Sequence, residues 1–316
     1  MRSNESLIAP LDRYLTGRLS EGEPVRVTHV RRIAVGHSRA MFMLDTSLGR
    51  QFVLRVEQGG VFGTSSAGEV RLMRALHTAG YPVAPVRWYE PDAAVLGHPF
   101  FLMDCIAGAA DTPSEAAIRA YVGLLQQQHD LDWRAAGLDF LGVPQTARDG
   151  ALMQVERWYS VYQEGAYLPI PFLEEGRAWL RNHAPAAARV VLVHGDAGPA
   201  NFMYEGDRVT CVTDWEFAHL GDPIEDWVYM ATMRGARHFP RERWAEIFVE
   251  EAGVSITPQE WTFWDAFNHF KGACANITTL RAFSSGANPA PNMAAIGTGL
   301  HLVFLQRLAE IVGANT

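Results

Sequence analysis

Leu7, Ile8, Leu11, Tyr14 and Leu15 recur at helical spacing and predict an amphipathic helix at the start of the chain. The period then shortens. Residues 31–35, 40–45 and 51–56 read as strands, joined by Gly36-His37-Ser38-Arg39 and by Ser47-Leu48-Gly49-Arg50. Residues 69–76 return to a helical pattern, with Val70, Met73, Ala75 and Leu76 apolar. Pro82 to Val86 is extended, and Phe100 to Met103 is apolar throughout, as a buried strand requires. Strands, one helix and more strands describe an α+β unit. From Ser114 the pattern turns helical, over 116–129, 152–163 and 172–183 and then over 223–233, 241–252, 258–284 and 294–313. The change falls near Cys105-Ile106-Ala107-Gly108, which predicts two lobes, 1–106 and 107–316.

Between the two helical groups lies a segment of another kind. Val190-Val191-Leu192-Val193 is a short β-branched run that leads into His194-Gly195-Asp196-Ala197-Gly198-Pro199-Ala200-Asn201. Residues 202–204 and 209–213 then read as two strands about the turn Glu205-Gly206-Asp207. Such a hairpin folds back and sets Asp214 beside Asn201. Phosphoryl transfer from a nucleotide uses this trio. The first Asp of H-x-D-x-x-x-x-N orients the acceptor hydroxyl and takes its proton, while the Asn and a later Asp hold metal. Asp196, Asn201 and Asp214 fill those positions, and two oxygen ligands completed by phosphate and water suit Mg2+. A capped loop, or a hydrolase metal site, is the competing reading. The latter needs further His and Asp ligands at metal-binding spacing, and none cluster nearby.

Composition narrows the partners. The 316 residues are 48% apolar and 20% charged, ordinary for a globular protein with an ample core. A net charge of −8 argues against nucleic acid, whose phosphates call for a basic face. Cys105, Cys211 and Cys274 are far apart, which indicates neither a disulfide framework nor zinc. No secretory h-region opens the chain and no apolar run suggests a membrane span, so the expectation is a cytoplasmic protein without membrane or nucleic-acid partners.

With these residues in view, the chain resembles the aminoglycoside phosphotransferase and choline kinase superfamily, small-molecule relatives of protein kinases, from about residue 33 to about residue 230. Asp214-Trp215-Glu216-Phe217-Ala218-His219-Leu220-Gly221-Asp222-Pro223 is similar to its bacterial phosphotransferase branch, which also supplies domains fused to some acyl-CoA dehydrogenases. The resemblance implies a kinase-like fold with a small antiparallel N-lobe. It also implies ATP or GTP as donor and Mg2+ as cofactor.

The resemblance also places further residues. Phe52-Val53-Leu54-Arg55 is similar to the strand that usually carries a lysine, so Arg55 takes that position with Glu69 as its ion-pair partner. The backbone and Ser38 hydroxyl of the first turn would cap phosphate oxygens, although that turn carries only Gly36. The adenine edge would meet the Asp104 C=O and the Ile106 N–H, with Met103 behind the base. Asp222-Pro223-Ile224-Glu225 reads as a capping box, and His194 as a brace for the loop. The acceptor would face Asp196 among C-lobe helices, near Trp158, Tyr159, Tyr162, Trp227, Trp264, Asn268 and Lys271. Core packing is the competing role for each aromatic.

The reading is a kinase that phosphorylates a hydroxyl of a small, largely apolar molecule. Alternatives are a nucleotide-binding pseudoenzyme, an aminoglycoside or amino-alcohol kinase, and a protein kinase. The last is disfavoured because His219-Leu220-Gly221-Asp222-Pro223 follows at once, leaving no activation segment.

Overall fold

The computed structural model describes residues 5–19, 23–35, 39–57, 65–185, 189–288 and 290–315. Helix α1 (Glu5–Leu15) precedes strands β1 (Val27–Val35), β2 (Arg39–Thr46) and β3 (Gln51–Glu57), then α2 (Ser66–Thr78), β4 (Val86–Glu90) and β5 (Phe100–Asp104). The five strands form one antiparallel sheet in the order β1-β2-β3-β5-β4. Alternation along β3 divides its side chains between two cores. Phe52, Leu54 and Val56 pack with Leu7, Leu11, Tyr14 and Leu15 of α1. Val53 joins Val70, Leu72 and Met73 of α2 on the other face. Arg55 shares that second face, which is why a cation can stand inside the sheet and reach α2.

Strand β4 lies outside the expected elements. Its polar residues Arg87 and Glu90 blur the alternation, and it forms an edge that is nowhere fully buried. Edge strands need only one apolar partner face, so their sequence signal is weak.

The second lobe is mainly helical, so the fold is the expected two-lobed α+β arrangement. It comprises α3 (Glu115–His129), α4 (Ala147–Gly165), α5 (Pro171–His183), α6 (Ile224–Tyr229), α7 (Arg241–Ala252), α8 (Pro258–Ser284), α9 (Pro291–Ala295) and α10 (His301–Ala314). Helix α8 is its spine. It starts with a capping box between Thr257 and Glu260, and it buries apolar residues all round, as a central helix does. Strands β6 (Val191–Val193), β7 (Phe202–Glu205), β8 (Arg208–Val212) and β9 (His219–Gly221) make two small antiparallel pairs, β6 with β9 and β7 with β8.

Two expected helices are broken. The helix over 223–233 is α6 followed by a π-helical turn at Met230–Arg234. The helix over 294–313 contains a π-helical turn at Ile296–Leu300. The Asp222 capping box is half correct. Asp222 accepts the Ile224 N–H at 2.9 Å, but Glu225 turns away to His219 and Lys271. By length and composition alone, Pro291–Ala314 would pass for a membrane span, with a mean hydropathy of 1.3. In the fold this segment packs against α8 and leaves Leu302 and Val303 exposed.

Candidate active site

Strand β6 delivers the chain into a buried loop over residues 194–201. Gly195 adopts φ +80°, and a Cβ there would stand 2.6 Å from the Phe217 carbonyl oxygen, so only glycine fits. His194 Nε2 lies 3.0 Å from the Thr213 carbonyl oxygen, which ties the loop to the end of β8. That contact matches the bracing expected of His194.

Asp196 is 3% exposed. The Asn201 amide nitrogen donates to both its backbone oxygen and its Oδ2, each at 2.8 Å. Asn201's amide oxygen therefore remains as its metal-capable atom. The β7–β8 hairpin folds back as expected, because the Thr213 N–H donates to the Asn201 carbonyl at 2.9 Å and so brings Asp214 alongside. Among the described residues, Ala200 and Asp214 are the two non-glycines with positive φ, at 78° and 68°. Such backbone costs roughly 1–3 kcal/mol per residue and clusters where function over-determines the geometry.

Arg55 joins the lobes. Its guanidinium donates to Glu69 Oε1 at 2.6 Å and to Asp214 Oδ1 at 3.1 Å. Burial disfavours its charge, but Glu69, Asp214 and Glu216 outweigh burial and hold it firmly protonated. Asp214 keeps 36% of its side chain exposed, and with the Asn201 oxygen it offers the hard oxygen donors that magnesium takes.

A cavity of about 160 Å³ opens beside Asp196 and Asp214. Trp158, Phe217, Tyr229 and Phe304 wall it, and Arg234, Asn268 and Lys271 supply polar groups. Asn268 is 1% exposed, and neither its amide oxygen nor its amide nitrogen has a hydrogen-bond partner.

The family model described as the phosphotransferase enzyme family, APH, matches residues 29–267. The chain belongs to this family. The family is one of phosphotransferase enzymes. It is 30% identical over 256 residues to acyl-CoA dehydrogenase family member 10 of Mus musculus, covering 71% of this chain and 24% of that protein. The chain thus spans about a quarter of that relative's length. A candidate aminoglycoside phosphotransferase of Ralstonia eutropha superposes with a TM-score of 0.70 at 23% identity, over 97% of this chain and 98% of that one. Choline kinase LicA of Streptococcus pneumoniae gives 0.66 at 13% identity, over 95% and 98%. At these identities the likeness is one of fold, the kinase-like fold of the superfamily.

In this phosphotransferase the sequence motifs converge as Asp196, Asn201, Asp214, Arg55 and Glu69. Asn268 and Lys271 line the cavity as expected. Trp264 and Trp227 do not, which corrects the expectation for both. Trp264 is one turn earlier in α8, edge-on to Phe263 and Phe267, and Trp227 is buried between His129 and Phe248. Tyr159 and Tyr162 are also misplaced, facing a separate surface depression with Tyr167 and Glu174. Met103 is buried on β5 opposite Val53, Asp104 spends its carboxylate on Arg87 at 2.7 Å, and Ile106 is half-buried. Ser38 lies outside the described residues.

Two residues that the sequence does not single out complete the geometry. Asp226 anchors the loop from below, accepting from the His194 and Gly195 backbone at 2.8 and 2.9 Å. The one available signal was an acid pair inside the apolar run Ile224-Glu225-Asp226-Trp227-Val228. Arg234 forms a two-pronged ion pair with Asp196, its Nε donating to Oδ1 at 3.0 Å and a terminal nitrogen to Oδ2. Nothing local marks that arginine, because the π-helical turn that aims it has no sequence signature.

Proposed function

We propose that the chain is a magnesium-dependent small-molecule kinase. It carries the γ-phosphoryl of ATP, or GTP, to a hydroxyl of a small, largely apolar acceptor. Residues 1–106 form the nucleotide lobe and 107–316 the lobe that holds the catalytic loop and the acceptor. The observation that carries this reading is the junction at Arg55. One guanidinium ties Glu69 of the sheet lobe to Asp214, which stands beside Asn201 and Asp196 at the mouth of a walled cavity.

Asp196 is the base. Burial works against its charge, but Arg234 outweighs burial and, with Tyr229 and Lys271, holds the carboxyl below the usual carboxylate range. It is therefore ionised at neutral pH and ready to accept a proton. Asn201 and Asp214 hold magnesium, which when bound neutralises phosphate charge. Arg55 meets the phosphates, and Glu69 fixes its direction. The Asp104 C=O and Ile106 N–H take the adenine edge in front of Met103, and Ser38 caps a phosphate. Trp158, Phe217 and Phe304 exclude water from the acceptor body, while the unpaired amide of Asn268 reads one polar group on it. The Lys271 ammonium is bound to the Gly195 carbonyl and Glu225, so it holds the loop as well as lining the cavity.

Paired variants test the assignment. Asp196→Ala should nearly abolish kcat and leave nucleotide affinity close to wild type, because the base touches the acceptor. Asp214→Ala should also weaken magnesium–nucleotide binding. Full turnover by the Asp196 variant on an acceptor that wild type phosphorylates would overturn the reading.

A further inference from the structure

Arg234 covers the carboxylate of Asp196, to which the kinase reading above brings the acceptor hydroxyl. Its Nε donates to Asp196 Oδ1 at 3.0 Å, and a terminal nitrogen and the Asn201 amide both donate to Oδ2. Asp196 is 3% exposed. With Oδ2 doubly engaged and the group almost wholly buried, the withdrawal of a donor is what opens this carboxylate to an incoming hydroxyl. Asn201 is fixed by its second bond to the Asp196 backbone oxygen. The guanidinium is the donor free to move, since 34% of the Arg234 side chain is exposed.

Where it can move is restricted. Arg234 ends the π-helical turn Met230–Arg234, closed by the Gly235 N–H on the Met230 carbonyl at 2.7 Å. Its stem rests on the catalytic loop at Gly198, where a Cβ would stand 2.7 Å from the Arg234 Cβ. From that seat the guanidinium lines the same cavity as Asp196 and Asp214, and both carboxylates attract it. A phosphoryl group in flight from nucleotide to acceptor must occupy that same gap. The other cations nearby are committed, Arg55 to Glu69 and Asp214, and Lys271, 6% exposed, to Gly195 and Glu225.

We propose that Arg234 is a catalytic arginine of the transfer step, resting on Asp196 and passing to the transferring phosphoryl group as the acceptor hydroxyl takes its place. The proposal rests on the kinase reading above. In the step, the acceptor O–H gives its proton to the Asp196 carboxylate, and the acceptor oxygen bonds to the γ-phosphorus. The bond from that phosphorus to the β–γ bridging oxygen breaks, and its electron pair stays on the nucleoside diphosphate. Arg234 donates to the equatorial oxygens, where charge spreads in the transition state. Its departure from Asp196 also makes that carboxylate a stronger base at the moment of proton transfer.

Binding separates this role from a structural one. Affinities of wild type, Arg234→Ala and Arg234→Lys are measured for magnesium with a non-hydrolysable ATP analogue, and for magnesium–ADP with and without aluminium fluoride. Slow phosphoryl transfer to water is followed in parallel. Wild type should gain at least about tenfold in ADP affinity from aluminium fluoride, which imitates the group in flight. Arg234→Ala should bind the ATP analogue within about threefold of wild type, lose that gain and recover hydrolysis when guanidinium ion is added. Arg234→Lys should fall between them, having charge without the fork. An aluminium fluoride gain undiminished in Arg234→Ala, or absent from wild type, overturns the proposal and leaves the kinase reading standing. Faster hydrolysis by Arg234→Ala also overturns it, since the arginine would then only block the base. Wild type that binds no magnesium–nucleotide overturns the kinase reading and this proposal together.

Discussion

The Asp226 carboxylate accepts the backbone N–H of His194 at 2.8 Å, although the two residues are 32 apart in sequence. Its other oxygen takes the Gly195 N–H at 2.9 Å, and His129 Nε2 lies 3.0 Å from the oxygen that accepts His194. One side chain thus satisfies two N–H groups that the buried loop cannot satisfy itself. It thereby fixes the height of Asp196 above α6. Burial opposes its charge, but His129 and His194 outweigh it and hold the carboxyl below its ordinary range.

Asp226→Ala should therefore cost about 3–5 kcal/mol, because it leaves buried donors unpaired. Asp226→Asn should cost less and still lower kcat by shifting the loop. Since the folded state depresses this carboxyl, the stability it contributes is present at neutral pH. That stability is lost as pH falls below the usual carboxylate range. Urea unfolding of the three proteins at pH 7 and at pH 3 to 4 tests both statements. Equal midpoints at pH 7 would show that the loop is held by something else.

Asp222 has the opposite pH dependence. Burial pushes its carboxyl up to about 7, with the Ile224 N–H opposing and Glu260 and Glu225 adding to the rise. The folded protein therefore binds a proton that the unfolded chain has released, and stability falls as pH rises from about 4 to about 7. Asp222→Asn keeps the oxygen that caps Ile224 and removes the charge. The variant should be more stable than wild type at pH 8, on the order of 1–3 kcal/mol, and nearly equal to it at pH 4. Melting temperatures that stay parallel across that range would refute the shift.

Gly195→Ala tests the loop's steric demand. An added methyl would meet the Phe217 carbonyl oxygen at 2.6 Å, and φ +80° is itself unfavourable for alanine. Neither the oxygen nor the loop has a flexible side chain to give way. A destabilisation of about 2 kcal/mol or more is expected, with kcat reduced more than the affinity for nucleotide. Wild-type kinetics in this variant would mean that the loop is looser than its packing implies.

Much of this was legible in the sequence, for reasons that particular residues show. The loop over 194–201 and the hairpin after it were readable because their geometry lies in local spacing, His194 to Asn201 and then a turn to Asp214. Helices α7 and α8 were readable to the residue because Pro240, Gly253 and the Thr257–Glu260 box punctuate their ends. What escaped depends on long-range placement. Asp226 and Arg234 are ordinary residues of a helical stretch until the fold carries them against the loop. Trp227 and Trp264 show the reverse error, since an aromatic at helical spacing lies as readily in the core as at a cavity.

Arg55 gives a graded prediction. It holds two carboxylates through separate nitrogens, which a single ammonium cannot reproduce. Arg55→Ala should raise the nucleotide KM and lower kcat, and Arg55→Lys should restore part of both. Glu69→Gln should resemble a mild form of Arg55→Ala. Steady-state kinetics over nucleotide concentration measure all three. An Arg55→Ala enzyme indistinguishable from wild type would remove this residue from the phosphate site.

The acceptor should be a compact alcohol with an apolar body, not a polycationic aminoglycoside. Trp158, Phe217, Tyr229 and Phe304 wall the cavity, whose volume of about 160 Å³ suits a small molecule. A polycation needs acidic walls to offset its desolvation. Three acids line the cavity; Asp196 and Asp214 are already paired with Arg234 and Arg55, and Glu216 acts on the same Arg55 charge, while Glu156 of α4, outside the lining, is held by Arg177 and Arg181. Beyond residue 255 the acids Glu260, Asp265 and Glu310 are matched by Lys271, Arg281 and Arg307. ADP release should be measured across aminoglycosides, choline-like amines and hydrophobic alcohols, with Asn268→Leu alongside wild type. The alcohols should be turned over, and the variant should raise KM by about 10- to 100-fold for those carrying a second polar group, since its amide otherwise has no partner. Efficient phosphorylation of an aminoglycoside, with the alcohols inert, would reverse this assignment.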